Sequence, residues 1–117
     1  MLSLKDWSSI DFQLNKNRSV VLSLSSNGCN VCVAVNAKLL EVEKSYPDAT
    51  FITAKLDDVP ELSGRFIVFT VPTILIFQAG KEYHRESRFI DFVRLEKYLK
   101  ESFQEKRPYD EGLFDKL

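Results

Sequence analysis

Apolar positions along the chain change period several times, and each change marks an element. Leu4, Trp7, Ile10 and Leu14 fall on one helical face, which predicts a first helix within residues 4–16. Ser3 and Asp6 stand at its start with the spacing of a capping box, and the polar Asn15-Lys16-Asn17-Arg18 ends it. Val20-Val21-Leu22-Ser23-Leu24 is a short β-branched run, as a buried strand requires, and Ser25-Ser26-Asn27-Gly28 reads as loop. From Cys32 the apolar residues recur at Val35, Leu39, Val42 and Tyr46, one helical stripe that Pro47 and Asp48 stop. Phe51 to Leu56 is a second buried strand, so this stretch predicts a βαβ unit with parallel strands and a right-handed crossover.

Beyond Leu56 the periodicity is weaker. Phe66-Ile67-Val68-Phe69 has strand propensity alone, whereas Thr73–Phe77 is followed by the turn residues Gln78-Ala79-Gly80-Lys81 and a polar, edge-type strand, Glu82–Ser87. A last helix follows, with Asp91 as N-cap, Phe92, Leu95, Leu99 and Phe103 on its buried face, and Lys106-Arg107-Pro108 at its end. No repeat, low-complexity run or linker interrupts residues 1–117. The expectation is one α/β domain with its core at about 3–105 and a tail at 106–117.

Composition narrows the classes. The 117 residues are 44% hydrophobic and 28% charged, the mix of an ordinary globular protein, and 16 basic against 17 acidic residues leave a net charge of −1. Without a basic block, neither nucleic acid nor an anionic membrane is the expected partner. The most apolar window, Phe66–Phe77, is interrupted by Pro72 and falls short of the roughly 20 residues that span a bilayer. Met1–Asp6 shows no charged stretch followed by an apolar one, so no secretory signal is read and a cytoplasmic monomer is expected.

Cys29 and Cys32 are the only cysteines. A lone C-x-x-C in such a chain reads first as a redox pair. A zinc site needs four ligands, and only His84 is at hand, so no metal is expected. The motif lies where a strand turns into a helix N-terminus, whose free N–H groups and partial positive charge favour a thiolate. Cys29, at the start of that helix, is the candidate nucleophile. Cys32, one turn inside on the core-facing stripe, is the candidate resolving thiol.

Cys29-Asn30-Val31-Cys32 after the strand Val20–Leu24, with Val71-Pro72-Thr73 before the strand Ile74–Phe77, resembles the thioredoxin family. Ala54-Lys55-Leu56-Asp57 and Gly80 support the resemblance, which covers about residues 3–105. It implies a thioredoxin-like fold: a central mixed β-sheet of four to five strands flanked by helices on both faces. It also implies a cis bond before Pro72, and it makes Phe66–Phe69 the end of a short helix plus loop. By the same resemblance, Val71, Pro72, Gly28, Asn30, Val31 and Arg88 line a substrate groove, and Ser23 and Lys55 support the cysteines from beneath. The implied activity is thiol–disulfide exchange on protein or small-thiol disulfides. It needs no bound cofactor beyond the reversible Cys29–Cys32 disulfide, and a separate reductase supplies the electrons.

Five positions depart from the family's usual residues: Gly28 replaces a tryptophan, Asn30-Val31 a Gly-Pro, Ser23 a buried aspartate, and Arg88 a groove glycine. These imply a relative with its own partners and redox potential. Two alternatives remain: a redox-inert binding module using the same groove, and a glutaredoxin-type reductase. The latter is expected to carry a Gly-Gly pair after the Val-Pro strand, where this chain has Gly80 alone. His84 reads as a solvated residue of the edge strand, Lys55 as a stem packed under the motif, and Trp7 as core for the first helix. The tail, with Leu113, Phe114 and Leu117, reads as packed on its own domain or disordered, with a partner contact as the alternative.

Overall fold

The computed structural model describes residues 1–104. Its elements are β1 (Leu2–Ser3), α1 (Trp7–Lys16), β2 (Ser19–Ser25), α2 (Asn30–Glu43), β3 (Thr50–Lys55), α3 (Glu61–Phe66), β4 (Thr73–Gln78), β5 (Lys81–Ser87) and α4 (Phe92–Gln104). The strands form one sheet in the order β1-β3-β2-β4-β5. β1, β3 and β2 are mutually parallel, β4 pairs antiparallel with β2, and β5 pairs antiparallel with β4. The expected mixed sheet is therefore present, with five strands among the described residues. The tail expected at 106–117 lies outside those residues.

β2 is the central strand, and all seven of its residues are buried. Its alternation splits the core into two layers. Val20, Leu22 and Leu24 pack with Ile10 and Leu14 of α1 and Leu62 of α3. Val21 packs with Val35, Leu39 and Val42 of α2 and Leu95 and Leu99 of α4. Each face of the sheet thus carries two helices, which is what buries an apolar strand on both sides. Trp7 packs, partly buried, against the α1/α3 layer, beside Phe66.

Two details of the first helix differ from the pattern. Ser3 is not its cap: Ser3 pairs with Thr53 in the sheet, and Leu4 N–H donates to the Thr53 carbonyl. Helix α1 begins only after that pairing ends, with Asp6 as N-cap accepting from Ser9 N–H at 2.8 Å. Those bonds from Ser9 hold the Asp6 carboxyl below its ordinary pKa. A two-residue strand has no periodicity to read, which is why β1 was not expected.

At the other end of the Cys32 stripe, Tyr46 is buried but stands three residues beyond α2, in the turn that follows it. Phe66 ends α3, and Ile67 to Thr70 are loop, as the resemblance implied. The β4–β5 hairpin turns on Ala79 and Gly80, both at positive φ (52° and 82°), the backbone of a type I′ turn.

Candidate active site

Cys29 is the N-cap of α2. Its backbone is extended (φ −90°, ψ 97°), and its sulfur accepts from Cys32 N–H at 3.1 Å. The first turn of the helix therefore points the Cys32 amide at the Cys29 sulfur, the arrangement that stabilises negative charge there. Cys29 and Cys32 form a disulfide with their Cα atoms 5.2 Å apart. Their surroundings differ: Cys29 is partly exposed, Cys32 only 2%. Gly28, just before them, sits at φ +76° with open space where a Cβ would be, so backbone conformation rather than crowding favours glycine there. Asn30 and Val31 are exposed on the first turn of α2.

The Val71–Pro72 peptide bond is cis. Pairing of Leu24 with Thr73 brings Pro72 to the end of β2 from which the cysteine loop departs. The Pro72 carbonyl accepts from Arg88 N–H at 2.7 Å, tying this loop to the one before α4. Arg88 is exposed and at φ 67°, a left-handed conformation. Phe69 and Phe89, on these two loops, are about four-fifths exposed.

The left-handed backbone at Arg88 costs a side-chain-bearing residue about 1 kcal/mol relative to glycine. Arg88→Gly is therefore expected to raise the melting temperature by several degrees, read by circular dichroism. An unchanged or lowered value would show that the Arg88 side chain makes a compensating contact.

Beneath Cys32 the structure replaces one expectation. Ser23 lies on the α2 face of β2, and its hydroxyl donates to Asn36 Oδ1 at 2.6 Å, while Asn36 Nδ2 donates to Thr53 Oγ1 at 3.4 Å. Asn36, four residues after Cys32 on α2, is a site residue the sequence reading passed over. Its signal was a carboxamide at i+4 beside the apolar stripe. Lys55 does not pack under the motif. It is exposed at the end of β3, opposite Ser25, and borders a cleft of about 290 Å³ that Cys29, Cys32, Ser25 and Asn36 also line.

His84 is likewise not a solvated edge residue. Its ring stacks on Tyr98 at 4.0 Å and pairs with Glu86, a carboxylate only 3% exposed. Arg94 of α4 grips the same carboxylate through Nε and Nη2, each at 2.7 Å, and the Asp91 amide donates to it at 3.4 Å. Asp91 also caps α4, accepting from Arg94 N–H at 3.0 Å. Among the described residues no group of three or more His, Cys, Asp or Glu side chains is arranged to hold a metal ion.

Residues 4–101 match the sequence model of the family described as Thioredoxin. The thioredoxin-like protein YdfQ of Bacillus subtilis is 38% identical over 104 residues, covering 89% of this chain and 93% of that protein. The thioredoxin of Mycoplasmoides gallisepticum is 30% identical, covering 78% and 91%. Among solved structures, Fasciola hepatica thioredoxin superposes with a TM-score of 0.79 at 21% identity, over 87% of this chain and 99% of that one. Oxidised mitochondrial thioredoxin 3 of Saccharomyces cerevisiae gives 0.76 at 20%, over 86% and 94%. These two structural likenesses speak to the fold.

Proposed function

We propose that this chain, which belongs to the thioredoxin family, reduces the disulfides of proteins by a two-step exchange. It is a thiol–disulfide oxidoreductase by family and by its Cys29–Cys32 pair. In the reduced protein, the Cys29 thiolate attacks one sulfur of the substrate disulfide. A Cys29–substrate bond forms, and the other substrate sulfur leaves with the electron pair and takes a proton. Cys32 then attacks the Cys29 sulfur, the second substrate thiol departs, and the Cys29–Cys32 disulfide remains. Two electrons have passed to the substrate, and a separate reductase returns them.

The observation that carries this reading is the asymmetry of the pair: a partly exposed sulfur at a helix N-cap, and a buried one a turn inside. The loops of Val71-Pro72 and Arg88, together with Gly28, Asn30 and Val31, form the groove for an extended substrate segment. Family members act on disulfide substrates with a reductase partner, and we place this protein in the cytoplasm as a monomer. No helix among the described residues is long and apolar enough to cross a membrane.

The test is catalysis of insulin-type disulfide reduction by dithiothreitol. A rate well above the dithiothreitol background is expected, and a rate equal to it would turn the reading toward a redox-inert binding module. Selectivity follows from Arg88, a permanent cation beside Pro72 that favours substrates with Asp or Glu near the attacked cysteine. The Arg88→Gly protein is expected to lose that preference in competition between acidic and neutral peptide disulfides; an unchanged ratio would remove Arg88 from the groove.

A further inference from the structure

Asn36 borders two clefts. The first, of about 290 Å³, reaches both cysteines; the second, of about 420 Å³, runs on past Thr53 to Lys5 and Asp58, and the two share Ser25, Asn36 and Lys55. Within them the Asn36 carboxamide joins a hydroxyl of β2 to one of β3, accepting from Ser23 and donating toward Thr53. A carboxamide and two aliphatic hydroxyls neither gain nor lose a proton near neutral pH. The charged side chains on these clefts are Lys5 from the segment before α1, Lys55 from the end of β3 and Asp58 from the turn after it. Asp58 lines only the cleft that does not reach the cysteines. Asp57, in the same turn, accepts from Asn27 N–H at 2.9 Å.

We propose that Asn36 is a positioning residue that sets the pH response of the resolving step. Its carboxamide locks Ser23 and Thr53 into a neutral bridge one turn below Cys32, so the Cys32 thiol gives its proton to water in the cleft rather than to a fixed protein base. This deepens the oxidoreductase reading above and rests on it. The step balances: Cys32 releases a proton to water and attacks the Cys29 sulfur, the Cys29–Cys32 bond forms as the Cys29–substrate bond breaks, and the substrate thiolate is protonated from solvent.

Stopped-flow reaction of the reduced full chain with a dithiobis(nitrobenzoate) disulfide separates the two halves. One coloured thiolate is released when Cys29 attacks and a second when Cys32 resolves, and the first phase is the internal reference. For the wild type, the second phase is expected to rise about tenfold per pH unit on its acid side with one inflexion, that of Cys32 alone. Asn36→Asp places a carboxylate in the bridge. It is expected to speed the second phase about tenfold or more near pH 6 and to add a second, lower inflexion.

A folded Asn36→Asp protein with the wild-type profile would overturn the proposal. So would a wild-type profile with two inflexions, and loss of the lower one in Asp58→Asn would name Asp58 as the base. The wild-type profile decides the matter even where Asn36→Asp does not fold. Absence of both coloured phases would instead remove the oxidoreductase reading itself.

Discussion

Serine in place of Cys29 is expected to lower the turnover of a protein disulfide by on the order of 10³-fold or more, toward background. Serine in place of Cys32 is expected to leave the first attack intact and stall the cycle there. The difference follows from the geometry. Cys29 is the partly exposed sulfur at the N-cap of α2, where the Cys32 amide points at it and stabilises its thiolate. A hydroxyl in that place stays protonated near neutral pH and does not attack sulfur. Cys32 is buried and reached by no substrate disulfide directly, but it lies within bonding reach of Cys29. The Cys32→Ser protein should therefore accumulate a mixed disulfide at Cys29, visible by mass spectrometry as an adduct that dithiothreitol removes. Adducts at Cys32 in the Cys29→Ser protein, formed as fast as those at Cys29 in the wild type, would reverse the assignment.

The two-layer fold was readable because its signals are local. Val20–Leu24 and Thr73–Phe77 are apolar runs of strand length, and the Cys32, Val35, Leu39, Val42 stripe has helical spacing that tertiary packing then uses. The cysteine pair was readable for the same reason: three positions in the chain place both sulfurs on one helical turn. Groups whose meaning depends on pairing across the sheet were not readable. Asn36 is one polar residue among many until β2 and β3 bring Ser23 and Thr53 to it. Lys55 looked like a buried stem because the strand before it is buried, yet β3 ends there and the side chain emerges. His84 and Glu86 alternate as an edge strand should, with period two. Nothing in that alternation shows that α4 lays Arg94 and Tyr98 over their face and turns a polar stripe into a buried network.

That network makes the other large effect. Glu86 is a carboxylate whose side chain is 2% exposed, held by both arms of Arg94, by His84 and by the Asp91 amide. It joins the end of β5 to the start of α4, on either side of the loop that carries Arg88 and Phe89. Removing one partner leaves the other's charge uncompensated. Arg94→Ala is expected to lower the melting temperature, by less than the loss of a fully buried pair would because Arg94 is half exposed, and an unchanged midpoint by circular dichroism would show that the pair contributes nothing.

The same bonds from Arg94, reinforced by His84 and the Asp91 amide, pull the Glu86 pKa from its ordinary 4.5 down to about 2, against burial, which pushes it up. A folded-state pKa below the unfolded one gives stability that is fully present above pH 4.5. That stability is lost as the pH falls through the interval down to about 2. In urea unfolding, the wild type should lose about 2 kcal/mol more than the Glu86→Gln protein between pH 5 and pH 2.5, since glutamine has no proton to take up. Parallel losses in the two proteins would show that the acid sensitivity of this fold lies in other carboxylates and that Arg94 does not hold Glu86 ionised.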